Sequence, residues 1–448
     1  MRLKPVFRGG AIAMLALALA ATMAAAQGSF GDDLFFLDED ALFGSGDGLL
    51  IEIEEPTGSA LQDVFLVSDG VDFGGNYRLA LEAARNWADG QAEQAVESVG
   101  VSLNGSLFAD ARPRRDFRLF AKSMWTAGIA DGAVHGPTFQ LHELFADYSA
   151  GDRAFLRAGK QTINWGVGYF FSPADIVNVG RIDPENPDAE REGPVALRLH
   201  VPSGRNNFYN YAVLSNTAGG QVALAPKAEF VMGRSEVGVG LYYRADRAPR
   251  AMATLSTSLG KASLFGEAVL SKGSDKRFVR SVPISPEHPF GLAVTEDKES
   301  LFAHVTAGVH YTYTDPDRRY SISGAGQYYY NGEGYDGAFV RENGPGIFAL
   351  VQAGELSFTD IISTGRQYGA LSVNVSGKAM GDFAPGLFWL GNLSDGSGLV
   401  SLSVGYTRWN HVRPTIGISR TYGAPGGQYA PKGPEYILTL GVSVGHNF

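Results

Sequence analysis

From Gly75 onward the chain alternates. Stretches of about ten residues place apolar or aromatic side chains at every second position and small or polar ones between, with turn residues separating one stretch from the next. Leu301, Ala303, Val305, Ala307, Val309, Tyr311 and Tyr313 form one row, against His304, Thr306, Gly308, His310 and Thr312. Val400, Leu402, Val404 and Tyr406 oppose Ser401, Ser403, Gly405 and Thr407, and Gly369, Leu371, Val373 and Val375 oppose Ala370, Ser372, Asn374 and Ser376. Side chains of a strand point alternately to its two faces, so each stretch predicts a strand with one greasy and one wet face. Eighteen segments fit: 75–87, 97–109, 114–126, 137–149, 153–165, 193–202, 206–215, 222–233, 235–245, 250–259, 261–271, 300–314, 318–331, 366–377, 382–392, 398–409, 413–422 and 434–448.

The last of these sets the reading of the rest. Tyr436, Leu438, Leu440, Val442, Val444, His446 and Phe448 alternate with Ile437, Thr439, Gly441, Ser443, Gly445 and Asn447, and no charge sits on the greasy face. An outward Lys or Arg at a bilayer midplane costs about 2–4 kcal/mol, a penalty that enforces such a pattern. A half-buried strand of a soluble sandwich is the plain alternative. The expected fold is all-β: a transmembrane, antiparallel, up-and-down barrel of about 18 strands, with 436–448 as the closing strand and Tyr436 and Phe448 as its insertion and closure residues.

Connection lengths test the count. Barrels of this kind have short turns at one rim and long loops at the other. With strand one running outward, the even connections are all short: 110–113, 150–152, 203–205, Gly233-Arg234, Gly260, 315–317, 378–381 and 410–412. The odd ones hold every long segment: 166–192, 272–299, 332–365 and 423–433. The apolar run 347–358 could be a further strand, but this parity puts it in an outer loop, and a sixteen-stranded count stays open.

Composition fits the same class. Glycine supplies 58 of 448 residues, about twice the usual share. Trp87, Trp125, Trp165, Tyr328, Tyr330, Trp409 and Tyr436 suit aromatic girdles near strand ends. Arg2, Lys4 and Arg8 precede an Ala-rich apolar run and the small residues Ala24 and Ala26, so 1–26 reads as an export signal. No cysteine is present, so disulfides and a thiol-linked lipid anchor drop out. Residues 27–60 read as an acidic periplasmic leader, with nine acids and no base between 28 and 56; the barrel then takes 61–448. That leader holds most of a formal net charge of −10, which argues against nucleic acid as a partner. It is either a solvated tail or a segment that folds on a partner.

By the face assignment, Arg78, Arg118, Lys122, Arg157, Arg198 and His200 point inward with Glu82 and Asp147, while the closing half of the wall offers mostly Ser, Thr, Asn and Gly. An eighteen-stranded barrel is too wide for side chains to fill, so a polar inner wall implies a wet lumen. Loop 166–192 carries Tyr169, Phe170, Asp175, Asp183, Glu185, Asp188, Glu190 and Glu192. It either folds inward as a constriction or stands in solvent. If it folds inward, a charged half facing it sets up a field across the pore; the bland reading is that these charges pair with one another.

Gly159-Lys160-Gln161, Trp165-Gly166 and Pro173-Ala174-Asp175, together with Tyr329-Tyr330-Asn331-Gly332-Glu333-Gly334-Tyr335, Tyr368-Gly369-Ala370-Leu371-Ser372 and Asp395-Gly396-Ser397-Gly398, give a style of sequence. In these pieces the chain resembles a broad group of porin-like bacterial outer-membrane barrels, many known only as domains of unknown function. The resemblance implies a diffusion or uptake channel with no cofactor. The expected function is passive passage of small hydrophilic solutes across the outer membrane. The alternatives are a surface adhesin or receptor using loops 272–299 and 332–365, and a substrate-specific uptake channel. Expected partners are outer-membrane lipid, the barrel-assembly machinery acting through the closing strand, and the solutes themselves, with a homotrimer as one assembly. Catalysis has little support: the eight histidines are scattered, and no His-Glu-x-x-His or Gly-x-Ser-x-Gly occurs. His304 and His310 share a face but lie roughly 20 Å apart along a strand, too far to share a metal.

Overall fold

The computed structural model describes residues 71–214, 221–361, 363–409 and 411–448; the export signal and the acidic leader lie outside them. The strands are β1 (Val71–Ala88), β2 (Val96–Arg114), β3 (Phe117–Ala130), β4 (Ala133–Ser149), β5 (Phe155–Lys160), β6 (Val195–Ser203), β7 (Asn206–Val213), β8 (Ala223–Met232), β9 (Ser235–Tyr242), β10 (Arg250–Leu259), β11 (Ala262–Lys272), β12 (Arg277–Ser281), β13 (Leu292–Glu296), β14 (Leu301–Thr314), β15 (Ser321–Asn331), β16 (Gln367–Ser376), β17 (Phe383–Asn392), β18 (Ser397–Tyr406), β19 (Val412–Tyr422) and β20 (Glu435–Asn447). Eighteen belong to one antiparallel sheet; β12 and β13 form a separate ribbon between β11 and β14. Each barrel strand pairs with its neighbour in sequence, and β20 returns to β1, so the sheet closes.

The alternation decides which way each strand faces. Leu81 in β1, Leu402 in β18 and Leu440 in β20 are 50, 52 and 53% exposed on the outer face. The opposite face carries groups such as the Ser401 and Ser419 hydroxyls, 2.7 Å apart. At the seam Leu79 pairs with Val444 and Leu81 with Val442, both in the greasy row, while Arg78 lies opposite Gly445 and Glu82 opposite Gly441. A one-residue slip would turn every one of these side chains to the wrong face. Two further contacts pin the register. Gly75 and Phe448 exchange backbone hydrogen bonds of 2.9 Å each, and Trp87 stacks on Tyr436 with ring centres 5.5 Å apart.

Tight turns explain the narrow rim. Gly204, Gly233 and Gly260 each open a two-residue connection there at positive φ, 62°, 64° and 63°, the backbone that a two-residue hairpin needs to match strand twist.

Three expectations shift. The turn placed at 110–113 lies at Arg115-Asp116, because β2 continues through an irregularity between Ala111 and Arg114. Strand five stops at Lys160 rather than 165. Trp165 is therefore no girdle residue; it is completely buried. The run 347–358 stays outside the sheet where parity placed it, and Gly344–Gln352, which overlaps it, is helical.

Loops 272–299 and 332–365 pack on each other. Loop 332–365 forms short helices α1 (Phe339–Glu342), α2 (Gly344–Gln352) and α3 (Phe358–Ile361). Val279 and Leu292 of the ribbon meet Ile347 and Leu356 in a small apolar core. The backbone N–H of Val279 donates to the Tyr335 hydroxyl (2.8 Å), and that of Arg277 to Asp360 (3.0 Å). Among the described residues no helix is long and apolar enough to cross a membrane.

Candidate functional site

The long connection between β5 and β6, here loop three, turns into the barrel at a crossing that excludes side chains. A Cβ at Gly159 (φ +131°) would lie 2.2 Å from the Leu144 carbonyl oxygen, and one at Gly193 only 1.8 Å from that of Gln161. The two feet of the loop therefore touch through backbone, with Gln161 N–H donating to Pro194 O at 3.0 Å. This close approach is why the strand ends at Lys160 instead of carrying its alternation on to Trp165.

Beyond the feet, two inward side chains on the far wall bind the loop backbone. Glu267 of β11 accepts hydrogen bonds from the backbone N–H groups of Val167 and Gly168 (2.5 Å each), from Ala174 (2.8 Å) and from the Ser172 hydroxyl (2.9 Å). Gln327 of β15 accepts from the N–H of Tyr169, Phe170 and Phe171 at 3.1, 2.7 and 3.3 Å, and its amide donates back to Phe171 O and to Thr306. Bonds to an ionised acceptor are worth about 1.5–3 kcal/mol each. Lys227 of β8 donates to the Trp165 carbonyl at 3.1 Å.

Rings and aliphatic groups complete the seat. Phe170 lies 5.9 Å from Phe388, and Phe171 5.3 Å from Tyr329 and 5.8 Å from Tyr368, between ring centres. Tyr169 meets the His310 ring edge-on at 5.0 Å. Ile163, Trp165, Ala174 and Val177 of the loop pack on Ala196, Tyr211, Ala225, Met252 and Val269 of β6–β11. The expectation of a uniformly polar inner wall is corrected here: β6–β11 turn small and apolar residues inward at this level, and loop three covers them. Inward charge also extends beyond β1, β3, β5 and β6: Lys227 and Glu229 of β8 point inward, and Glu267 of β11 puts a buried carboxylate in the closing half.

The returning limb is held by charge. Lys122 of β3 pairs with Glu190, Lys160 with Glu192, and Arg191 with Asp175. The Gln140 amide also donates to Glu192, at 2.9 Å. His142 and Glu143, adjacent residues that strict strand alternation would put on opposite faces, both meet loop three: His142 lies 3.4 Å from Glu190, and Glu143 accepts from Thr162 N–H at 3.1 Å. A register shift opposite Lys122 and Ser123 inserts one extra residue in β4 and turns both inward.

Of the other residues singled out from sequence, Arg118 and Arg157 share the carboxylate of Asp147, and Arg118 also bonds Asp110 at 2.8 Å. The Arg157 guanidinium stands 3.8 Å over the Phe145 ring. Arg198 is next to Arg157 across the β5–β6 pair. His200 is set in a stack between Phe155 and Tyr209, its Nε2 2.9 Å from Asn207 Oδ1. Arg78 and Glu82 stand apart from this group, at the β1–β20 seam.

Loop three brings most of the expected set to one cavity. Tyr169 and Phe170 sit on the far wall, and Asp175 is buried, where burial lifts its carboxyl to about 6 against the pull of Arg191. Phe170, Asp175, Asp183 and Glu185 all line a cavity of about 520 Å³ on the outer side of the loop, bounded also by Arg250, Lys276, His304 and Tyr329. Burial, then the Asp183 charge, raises the Glu185 carboxyl to about 7. Its proton is held more tightly folded than unfolded, so this group lowers stability as pH rises from its ordinary 4.5 through 7.

No family model matches the chain, and no curated protein matches it. Among solved structures it is similar to OccAB1 of Acinetobacter baumannii (TM-score 0.47, 12% identity, 84% of this chain and 97% of that one). It is similar also to OccK1 (OpdK) and OpdQ of Pseudomonas aeruginosa, each with a TM-score of 0.46, 9% identity and coverage of 84% of this chain and 99% of theirs. At these values the likeness carries nothing about a solute.

Proposed function

We propose that the protein is an outer-membrane channel through which small hydrophilic solutes pass passively, with loop three as its constriction. The observation that supports it most is the seat of that loop. A barrel with a greasy outer belt spends a buried carboxylate, an amide and a lysine on holding one segment inside. In this reading Arg78, Glu82, Arg118, Lys122, Arg157, Arg198 and His200 line the path, the loop residues Tyr169, Phe170, Asp175, Asp183 and Glu185 narrow it, and assembly machinery engages the closing strand. Purified, folded protein added to a planar bilayer should give discrete conductance steps; a silent bilayer from protein that remains folded would sink the channel reading. The receptor reading draws on the outer cap, where Ile284 and Phe358 are 78 and 67% exposed, and a silent bilayer would favour it.

Two selectivity results follow from the charges. Replacing Arg118, Lys122 and Arg198 together by Ala should shift the reversal potential in a salt gradient toward cations, since three positive charges leave the wall while Asp110, Asp147 and Glu190 stay. An unchanged potential removes those residues from selectivity. Lowering the pH from 8 to 6 neutralises Glu185, whose carboxyl titrates near 7, and should move the potential toward anions. Glu185→Gln should lack that component of the shift, and a variant that keeps it in full assigns the titration elsewhere.

A further inference from the structure

The cavity above loop three has charges of both signs. At one end stand Arg250 on β10, Lys276 in the loop before the ribbon, and His304 on β14, with the Glu333 carboxylate among them. At the other stand Gln428 and Tyr429 of the loop before β20. Loop three runs along the floor and gives Arg181 to the first end and Asp183 and Glu185 to the second. Burial holds the Lys276 ammonium below its ordinary range, Glu333 pulls it back up, and Arg181 adds to the lowering. Burial raises the Tyr429 hydroxyl, and the charges of Tyr368, Glu185 and Asp183 raise it further. The two couplings place Arg181 beside the bases and the two acids beside Tyr429.

Most of the other charges at the wall are already matched. Arg250 bonds Asp275 at 2.6 Å, and Glu333 accepts from the Ser274 hydroxyl at 2.6 Å. Among the described residues the carboxylate of Asp183 accepts only a local backbone bond, from Glu185 N–H at 2.9 Å. Arg181, exposed at the cavity, makes no ion pair or hydrogen bond among the described residues. A cavity of this volume, with a few polar groups converging from opposite ends, has the size and character of a small-molecule site.

We propose that this cavity is a vestibule site for a small zwitterion of amino-acid or dipeptide size, its carboxylate met by Arg181 and its ammonium by Asp183 and Glu185. The proposal rests on the channel reading for what the vestibule feeds, but binding itself needs no conduction. Opposed charges at the two ends attract a dipolar solute and fix its direction. They discriminate against a solute with only one of its charges, which leaves the opposite end unmatched.

Saturation-transfer NMR on the folded, detergent-purified full chain tests this with glycylglycine, N-acetylglycylglycine and glycylglycinamide. Glycylglycine should bind saturably, and each analogue about tenfold more weakly, because each lacks one of the two groups the site is built to meet. Arg181→Gln should erase the penalty for losing the carboxylate and leave the penalty for losing the ammonium. The pair Asp183→Asn and Glu185→Gln should do the reverse. Equal binding of the three probes, no binding of any, or variants that weaken all three alike would overturn the proposal. The bilayer recording is read separately: selective binding without conductance steps sinks the channel reading and keeps the site, whereas steps with three equal probes do the opposite. Heat-modifiable migration on a gel confirms that each variant is folded.

Discussion

Glu267→Ala is expected to raise single-channel conductance by roughly twofold or more, because the constriction of a pore sets its resistance. The variant removes a carboxylate that holds three backbone N–H groups and one hydroxyl of loop three. Each buried donor left without an acceptor costs about 1–3 kcal/mol, so the tip at 166–174 gains several kcal/mol by moving to where water can reach it. Glu267→Gln should fall between parent and Ala. Its carbonyl can still accept from Val167 and Gly168, but its amide presents a donor to Ala174 N–H, where parent offers an acceptor. Gln327→Ala should act in the same direction by freeing Tyr169, Phe170 and Phe171. Parent-like conductance in all three variants would mean that the apolar packing of Ile163, Trp165 and Val177 holds the loop unaided.

The sequence made the barrel legible and this seat illegible, for one physical reason. Strand alternation is local, and each of the eighteen segments shows it within its own ten or so residues. Parity among the connections then supplied a non-local check, and it kept 347–358 out of the sheet. The seat of loop three is different. Glu267 bonds residues nearly a hundred positions away, and Gln327 bonds residues more than 150 away. One signal was present: Glu267 sits mid-strand on the face opposite Leu264 and Leu270, so alternation alone turns a carboxylate into the lumen. What it binds there could not be read from pattern. Strand five misled for a related cause. Alternation continues from 153 to 165, but the steric crossing at Gly159 and Gly193 ends the strand earlier. At His142 a bulge reversed a face that period two had assigned.

Leu440→Arg should prevent assembly or sharply lower the stability of the folded barrel, whereas Thr439→Arg, one residue away, should be tolerated. Leu440 lies near the middle of β20, 53% exposed on the greasy face and paired with Ala83 of β1 and Ile416 of β19. A guanidinium there faces hydrocarbon and costs about 2–4 kcal/mol at the midplane. The cost falls on the strand that closes the sheet, so the β1–β20 pairing is the part to fail first, and an open sheet in lipid leaves a row of unpaired backbone groups. Thr439 points the other way, opposite Ala84 and Gly417, where an added charge enters a polar wall. Urea titration of both variants refolded into thin-bilayer vesicles, followed by heat-modifiable migration, reads the difference directly. Leu440→Arg should lose a stability of this order relative to Thr439→Arg. Equal midpoints for the two would show that the face assignment of β20, and with it the lipid-facing belt, is mistaken.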